Sequence, residues 1–150
     1  MQDYLYDGTF EGLLTVVYKH YHHEKARGIY PLDLYQVILT VPYEILITNE
    51  EAADKVYRAI QNKISYNDLS RIYYGYLSND REKEMKILKY IELGFKTGPT
   101  ISSHHGNSVV FDLQSLEKKV SHEVHRLKGL IRFSLLEQDV LYAPITPDHD

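Results

Sequence analysis

Six apolar residues near the start of the chain, Phe10, Leu13, Leu14, Val17, Tyr18 and Tyr21, recur at offsets 0, 3, 4, 7, 8 and 11. That spacing places them on one face of an α-helix, which must bury the face against something else. The same spacing returns at Ala53, Val56, Tyr57, Ile60 and Ile64, and again at Leu69, Ile72, Tyr73, Tyr76 and Leu77. Further stripes are Ile87, Tyr90, Ile91 and Phe95, then Leu113, Leu116, Val120, Val124 and Leu127. Five amphipathic helices in 150 residues are the dominant constraint on the fold. The length suits one domain with a substantial core.

Local signals bound these helices. Thr9 can cap the first, with Asp7-Gly8 stopping a short strand at Asp3–Tyr6, and Gly28 is expected to end it. Thr48 with Glu51 reads as a capping box for the second. Ser65 with Asp68 caps the third, and Asn79 or Asp80 the fourth. Gly94, Gly98 and Pro99 close the fourth helix. Asp112 opens the last and Gly129 closes it. Residues 29–42 are ambiguous between strand and short helix, and Tyr43–Ile47 is β-rich. After Gly129, Ile131, Phe133 and Leu135 alternate with Arg132 and Ser134. Leu141, Ala143 and Ile145 follow a turn at 137–139, so a C-terminal hairpin is expected, with Pro144 marking an edge strand. The expected fold is a single α+β domain over residues 1–150: about five helices on a small, mostly antiparallel sheet. Irregular alternation of strands and helices argues against a doubly wound nucleotide fold.

Several function classes are excluded. Cysteine is absent, which removes thiolate nucleophiles, disulfides and cysteine-bound zinc or iron–sulfur clusters. No phosphate-loop, dinucleotide or nucleophile-elbow motif is present. No cofactor is expected. Met1–Asp7 lacks the basic and apolar regions of a signal peptide, and no window approaches a membrane span, so a cytoplasmic chain without membrane contact is expected.

The last helix carries the clearest functional signal. The chain has a formal net charge of −4. Over residues 115–133, however, five Lys and Arg face two Glu, a local +3. At 100° per residue, Lys118, His122 and His125 fall opposite the apolar stripe, with Arg126 on the shoulder. Together with Arg132 they form a candidate phosphate-contacting face. The plainer alternative is a solvated helix face, with bases favoured near a helix C-terminus. Glu123 and His125 point about 160° apart by the same step. That weakens a hydrolytic site built from Glu123, His125 and Arg126 with Tyr142, Asp148 or His149. No H-E-x-x-H spacing exists, because the histidine after His122-Glu123 comes at 125; no metal site is expected. The 14 tyrosines read mainly as core residues, with Tyr73 and Tyr76 in the buried stripe and Tyr74 pointing away. Tyr73-Tyr74-Gly75-Tyr76 would alternatively offer stacking faces for bases.

Four stretches resemble a bacterial family of DNA metabolism proteins whose domain has no assigned function. They are Tyr6-Asp7-Gly8-Thr9-Phe10-Glu11-Gly12-Leu13-Leu14; Leu93-Gly94-Phe95 with Gly98; Val120-x-x-Glu123-x-His125-Arg126-x-x-Gly129-x-x-Arg132-Phe133; and Tyr142-Ala143-x-Ile145-x-Pro147-Asp148-His149. The resemblance implies a gene neighbour of the radical-SAM class acting in DNA modification or repair. It also implies relatives fused to a uracil-DNA-glycosylase-like domain. It carries over no catalytic residue. Relatives continue past the Pro-Asp-His motif, so a C-terminal extension present in them is expected to be missing here. Lacking cysteine, this chain would be the partner of the radical enzyme and not the enzyme itself. The expected role is an accessory or DNA-binding protein. The alternatives are a glycosylase- or nuclease-like hydrolase and a protein-interaction module.

Overall fold

The computed structural model describes the backbone of residues 1–137 and the side chains of residues 1–128. Five α-helices and three short strands make up the described part, an α+β arrangement. Strand β1 (Gln2–Tyr6) leads into α1 (Phe10–His22), which returns to β2 (Ala26–Pro31). A short 3-10 turn at Leu32–Leu34 and an extended stretch then reach β3 (Tyr43–Ile45). Helices α2 (Glu50–Lys63), α3 (Tyr66–Tyr76), α4 (Lys83–Thr97) and α5 (Ser108–Glu137) follow, with a 3-10 turn at Gly98–Ser103.

The sheet has the order β2-β1-β3 and both pairings are parallel. This corrects the expected antiparallel sheet. The reason lies at the end of α1. The helix stops at His22 and not at Gly28, because His20 turns the chain back. The His20 Nδ1 accepts the Ala26 amide at 3.0 Å, which leaves the ring proton on Nε2, facing Glu92 Oε1 at 2.9 Å. Residues 26–31 are thereby released to form a strand. A helical crossover between strands puts them side by side in parallel. Gly28 is a strand residue paired with Asp3.

The expected C-terminal hairpin is also corrected. Residues 131–135 are helical, and α5 runs through Gly129 to Glu137. Leu127, Leu130, Ile131 and Leu135 keep offsets of 0, 3, 4 and 8, so the apolar spacing fits a helix as well as it fits alternation. A single interior glycine costs only about 1 kcal/mol relative to alanine. The second expected strand, 141–145, lies outside the described residues.

Three further boundaries differ, the first being α4, which begins at Lys83 after Glu82 and not after Asn79 or Asp80, with no side-chain cap. Asn49, not Thr48, caps α2: its Oδ1 accepts the Ala52 amide at 2.9 Å, while the Thr48 hydroxyl donates to Asp7 at 2.7 Å. Helix α5 opens before Asp112, with Asn107 Oδ1 accepting the Val109 amide at 2.9 Å. Thr9 and Ser65 cap α1 and α3 as their sequence suggests.

One cluster of buried apolar residues joins the sheet to the helices, from Tyr4 and Tyr6 through Leu13, Val17, Ile60 and Ile72 to Ile87, Ile91 and Leu116. Buried tyrosines stay in this core because each hydroxyl finds an acceptor. Tyr4 donates to Glu24 O at 2.7 Å, Tyr6 to Glu84 Oε1 at 2.9 Å and Tyr90 to Asp68 Oδ1 at 2.7 Å. Strand alternation sends Asp3 to the opposite face, where Arg27 grips its carboxylate with bonds of 2.9 and 2.8 Å.

Candidate functional site

The basic residues read from the sequence lie along the open side of α5. Lys118, Lys119, His122, His125, Arg126 and Lys128 are exposed, while Leu113, Leu116 and Val120 are buried. Glu123 is buried at 6% exposure. His125, two positions on, is exposed. The two groups proposed as an acid–base pair are therefore not brought together. The Arg126 guanidinium approaches Glu123 Oε1 at 3.7 Å, one turn along the same helix, and stays 56% exposed. Arg132 continues the helix; its side chain, and Tyr142, Asp148 and His149, lie outside the described residues.

Among the described residues, no group of three or more His, Asp or Glu is placed to hold a metal ion. No helix there is long and apolar enough to cross a membrane. The clustered histidines of α1 have local roles. His20 fastens the chain reversal, and His22 stacks on Tyr18 with centroids 4.0 Å apart.

A second site is built where the parallel strands end. Here β1 is central, with β2 on one side and β3 on the other. An open groove of about 860 Å³ lies at that end. Its lining comes from the Tyr6–Glu11 turn, from Pro31–Leu34 after β2, from Tyr73 and Tyr76 of α3, and from Lys83.

The turn Asp7-Gly8-Thr9 is closely specified. Gly8 has φ of +82°, a conformation that disfavours any side chain, and a Cβ there would meet nothing within 4 Å. Its requirement is therefore conformational and not one of packing. The Asp7 carboxylate folds back over the start of α1. Its Oδ1 accepts from the Thr9 amide at 3.0 Å and the Thr9 hydroxyl at 2.6 Å, and its Oδ2 accepts from Thr48 at 2.7 Å. Thr9 Oγ1 in turn accepts the Gly12 amide at 3.0 Å. Gly12 leaves the space for this: a Cβ on it would stand 2.3 Å from Asp7 Oδ1. Partial burial works to raise the Asp7 pKa. The hydrogen bonds from Thr9 and Thr48 outweigh it and hold the carboxyl below the usual aspartate value.

Aromatic rings form one wall. Phe10 meets Tyr73 edge-on, with centroids 5.2 Å apart and planes at 81°. The Tyr76 ring lies 5.2 Å from Phe10, and the Tyr76 hydroxyl donates to the Gly8 carbonyl. Tyr73 is 45% exposed, which corrects its expected place in the buried stripe. The buried positions of α3 are Asp68, Leu69, Ile72 and Gly75, so the inward stripe is centred about one residue away from Tyr73. Beneath the wall, Glu84 is 3% exposed. Burial raises its pKa despite the bond from the Tyr6 hydroxyl, and burial followed by the Glu84 charge pushes the Tyr6 phenol up.

In the sequence, the Asp-Gly-Thr turn stands out as a helix start and as part of a stretch that carries the family resemblance. Its place at the mouth of a groove follows from the central, parallel strand before it.

Residues 81–150 match the profile of a family described as a domain of unknown function, DUF4130. That stretch takes in all of α4 and all of α5, and leaves the Asp7–Gly12 turn outside it. No curated protein and no solved structure matches the chain.

Proposed function

We propose that this chain is an accessory, nucleic-acid-binding protein of bacterial DNA repair or modification, acting beside a radical-SAM partner. The observation that carries the DNA contact is the open side of α5. Lys118, Lys119, Arg126 and Lys128 stand exposed within eleven residues of one helix, in a chain with net charge −4. Lys and Arg spaced along an exposed helix side neutralise successive phosphates and release counterions. His122 and His125, exposed on the same helix, add ring N–H donors. The biological setting rests on the sequence resemblance, and the absence of cysteine assigns the cluster chemistry to the partner.

The test is binding of a fluorescent oligonucleotide as salt is varied. Binding should weaken steeply with salt, and Lys118→Ala with Arg126→Ala should flatten the log–log slope by about two. An intact protein that binds no DNA at low salt refutes the proposal.

A second reading, a protein-interaction module, is favoured by one observation. Leu34, Val37, Leu39, Ile45 and Ile47 are 72%, 62%, 98%, 56% and 89% exposed along one stretch of chain. Apolar exposure of that extent marks contact surfaces. Co-purification with the radical-SAM neighbour in nuclease-treated extract would favour this reading over direct DNA contact.

A further inference from the structure

The groove beyond β1 and β2 differs in chemistry from the basic side of α5. Among the described residues, its charged lining consists of Asp7, Glu11 and Asp33 against the cation Lys83. That cation is already engaged: its Nζ donates to Ser78 O at 2.9 Å and lies 5.1 Å from the Tyr76 centroid. A phosphate would meet three carboxylates here, so the groove disfavours anions. A purely apolar ligand would leave those carboxylates facing it without donors.

The aromatic wall narrows the choice. Tyr73 and Tyr76 lie nearly parallel, with planes at 29° and centroids 6.1 Å apart, and the Tyr73 ring is open to solvent over almost half its surface. Leu32 and Leu34 add apolar lining from the turn after β2. Such a wall accepts a flat ring by stacking. The Asp7 carboxylate is held by Thr9, Thr48 and its own backbone amide, so it fixes the turn and leaves recognition to its neighbours. The exposed carboxylates of Glu11 and Asp33 supply the open acceptors of the groove. A ligand that is flat and also donates N–H groups satisfies wall and carboxylates together.

We infer that this groove binds a planar heterocycle bearing an exocyclic amino group, the chemistry of an adenine or cytosine base. A carboxylate accepts from such an amino group, whereas uracil presents a carbonyl oxygen at the same position. The inference does not depend on DNA contact by α5, because recognition here uses the base and not the phosphate.

The test is an NMR titration of the whole chain with adenosine, cytidine and uridine. Adenosine and cytidine should shift the amides of Gly8, Thr9, Glu11, Leu34 and Tyr73, and uridine should bind roughly tenfold more weakly. Tyr73→Leu should weaken adenosine by roughly fivefold or more through lost stacking. Asp33→Asn, on an exposed turn, should weaken it without disturbing the Phe10 contact. Adenosine triphosphate should bind no better than adenosine. Unmoved groove amides, equal binding of uridine, or wild-type affinity in both variants overturns the inference. A chain that fails to bind DNA yet shows these shifts loses the α5 reading and keeps this one.

Discussion

Gly12 matters because of what its missing Cβ makes room for. The Asp7 carboxylate occupies that space, 2.3 Å from where the Cβ would stand. Gly12→Ala should therefore swing Asp7 away from Thr9 and Thr48. The lost bonds should cost about 1–2 kcal/mol. The Asp7 carboxyl should then titrate at higher pH, nearer its usual value, in a carboxyl-detected NMR titration. A held-down aspartate stabilises the fold above its unfolded pKa, and that contribution disappears as pH falls through the folded value. Glu84 has the opposite sign. Burial raises its pKa, so the fold is favoured while Glu84 is protonated and loses stability as pH rises through its titration. Glu84→Gln keeps an acceptor for the Tyr6 hydroxyl and removes the charge. Its denaturation midpoint should vary less than wild type between about pH 4 and pH 7, and a midpoint that falls as steeply as wild type contradicts this account.

Among the elements, α3 is tied to α5 by an arginine. Arg71 Nε donates to Glu117 Oε2 of α5 at 2.6 Å, and its NH1 reaches Asp68 Oδ1 at 3.1 Å. Asp68 is 1% exposed and also accepts from Ser65 and from Tyr90 of α4. Removing Arg71 leaves a buried carboxylate without its cation, which is costlier than losing an exposed pair. Arg71→Ala should destabilise by roughly 2–3 kcal/mol, read from the urea midpoint. Its effect on DNA binding should be small, because the guanidinium is turned to the interior and not to the basic side of α5. The i,i+4 pairs Lys55–Glu51 and Arg58–Asp54 on α2 are exposed, and their removal should leave the urea midpoint essentially where it is.

Over the whole molecule, the sheet is small and its centre is well covered. Tyr4, Leu5 and Tyr6 of β1 are each at or below 2% exposure, with strands on both sides. The segment from Leu32 to Leu39 combines a short 3-10 turn with strongly exposed apolar side chains. Native-state hydrogen exchange should find β1 amides among the slowest and those of residues 35–40 among the fastest. Protection of that segment equal to β1 in the isolated chain would mean that a second copy covers it.

What a sequence determines by itself is local. The helical spacing of Leu13, Leu14 and Val17, or of Ile60 and Ile64, needs no partner to be recognised, because one face of a helix repeats every 3.6 residues. The caps Thr9 and Ser65 were legible for the same reason: cap and amide lie within three residues. The basic side of α5 is likewise a property of one helix. Strand direction is not local. Whether residues 26–31 close a helix or form a strand beside Gln2–Tyr6 depends on His20, whose ring meets Ala26 and Glu92 only in the folded chain. The helix at 131–135 rather than a hairpin shows the same limit, since the apolar spacing admits both. The groove is the largest consequence. Asp7, Asp33 and Tyr73 are separated by 26 and 40 residues, and only a parallel sheet with the Tyr73 and Tyr76 rings of α3 set against Phe10 brings them to one opening. A short turn encodes the geometry of Asp7, but tertiary packing decided that this turn faces a cavity.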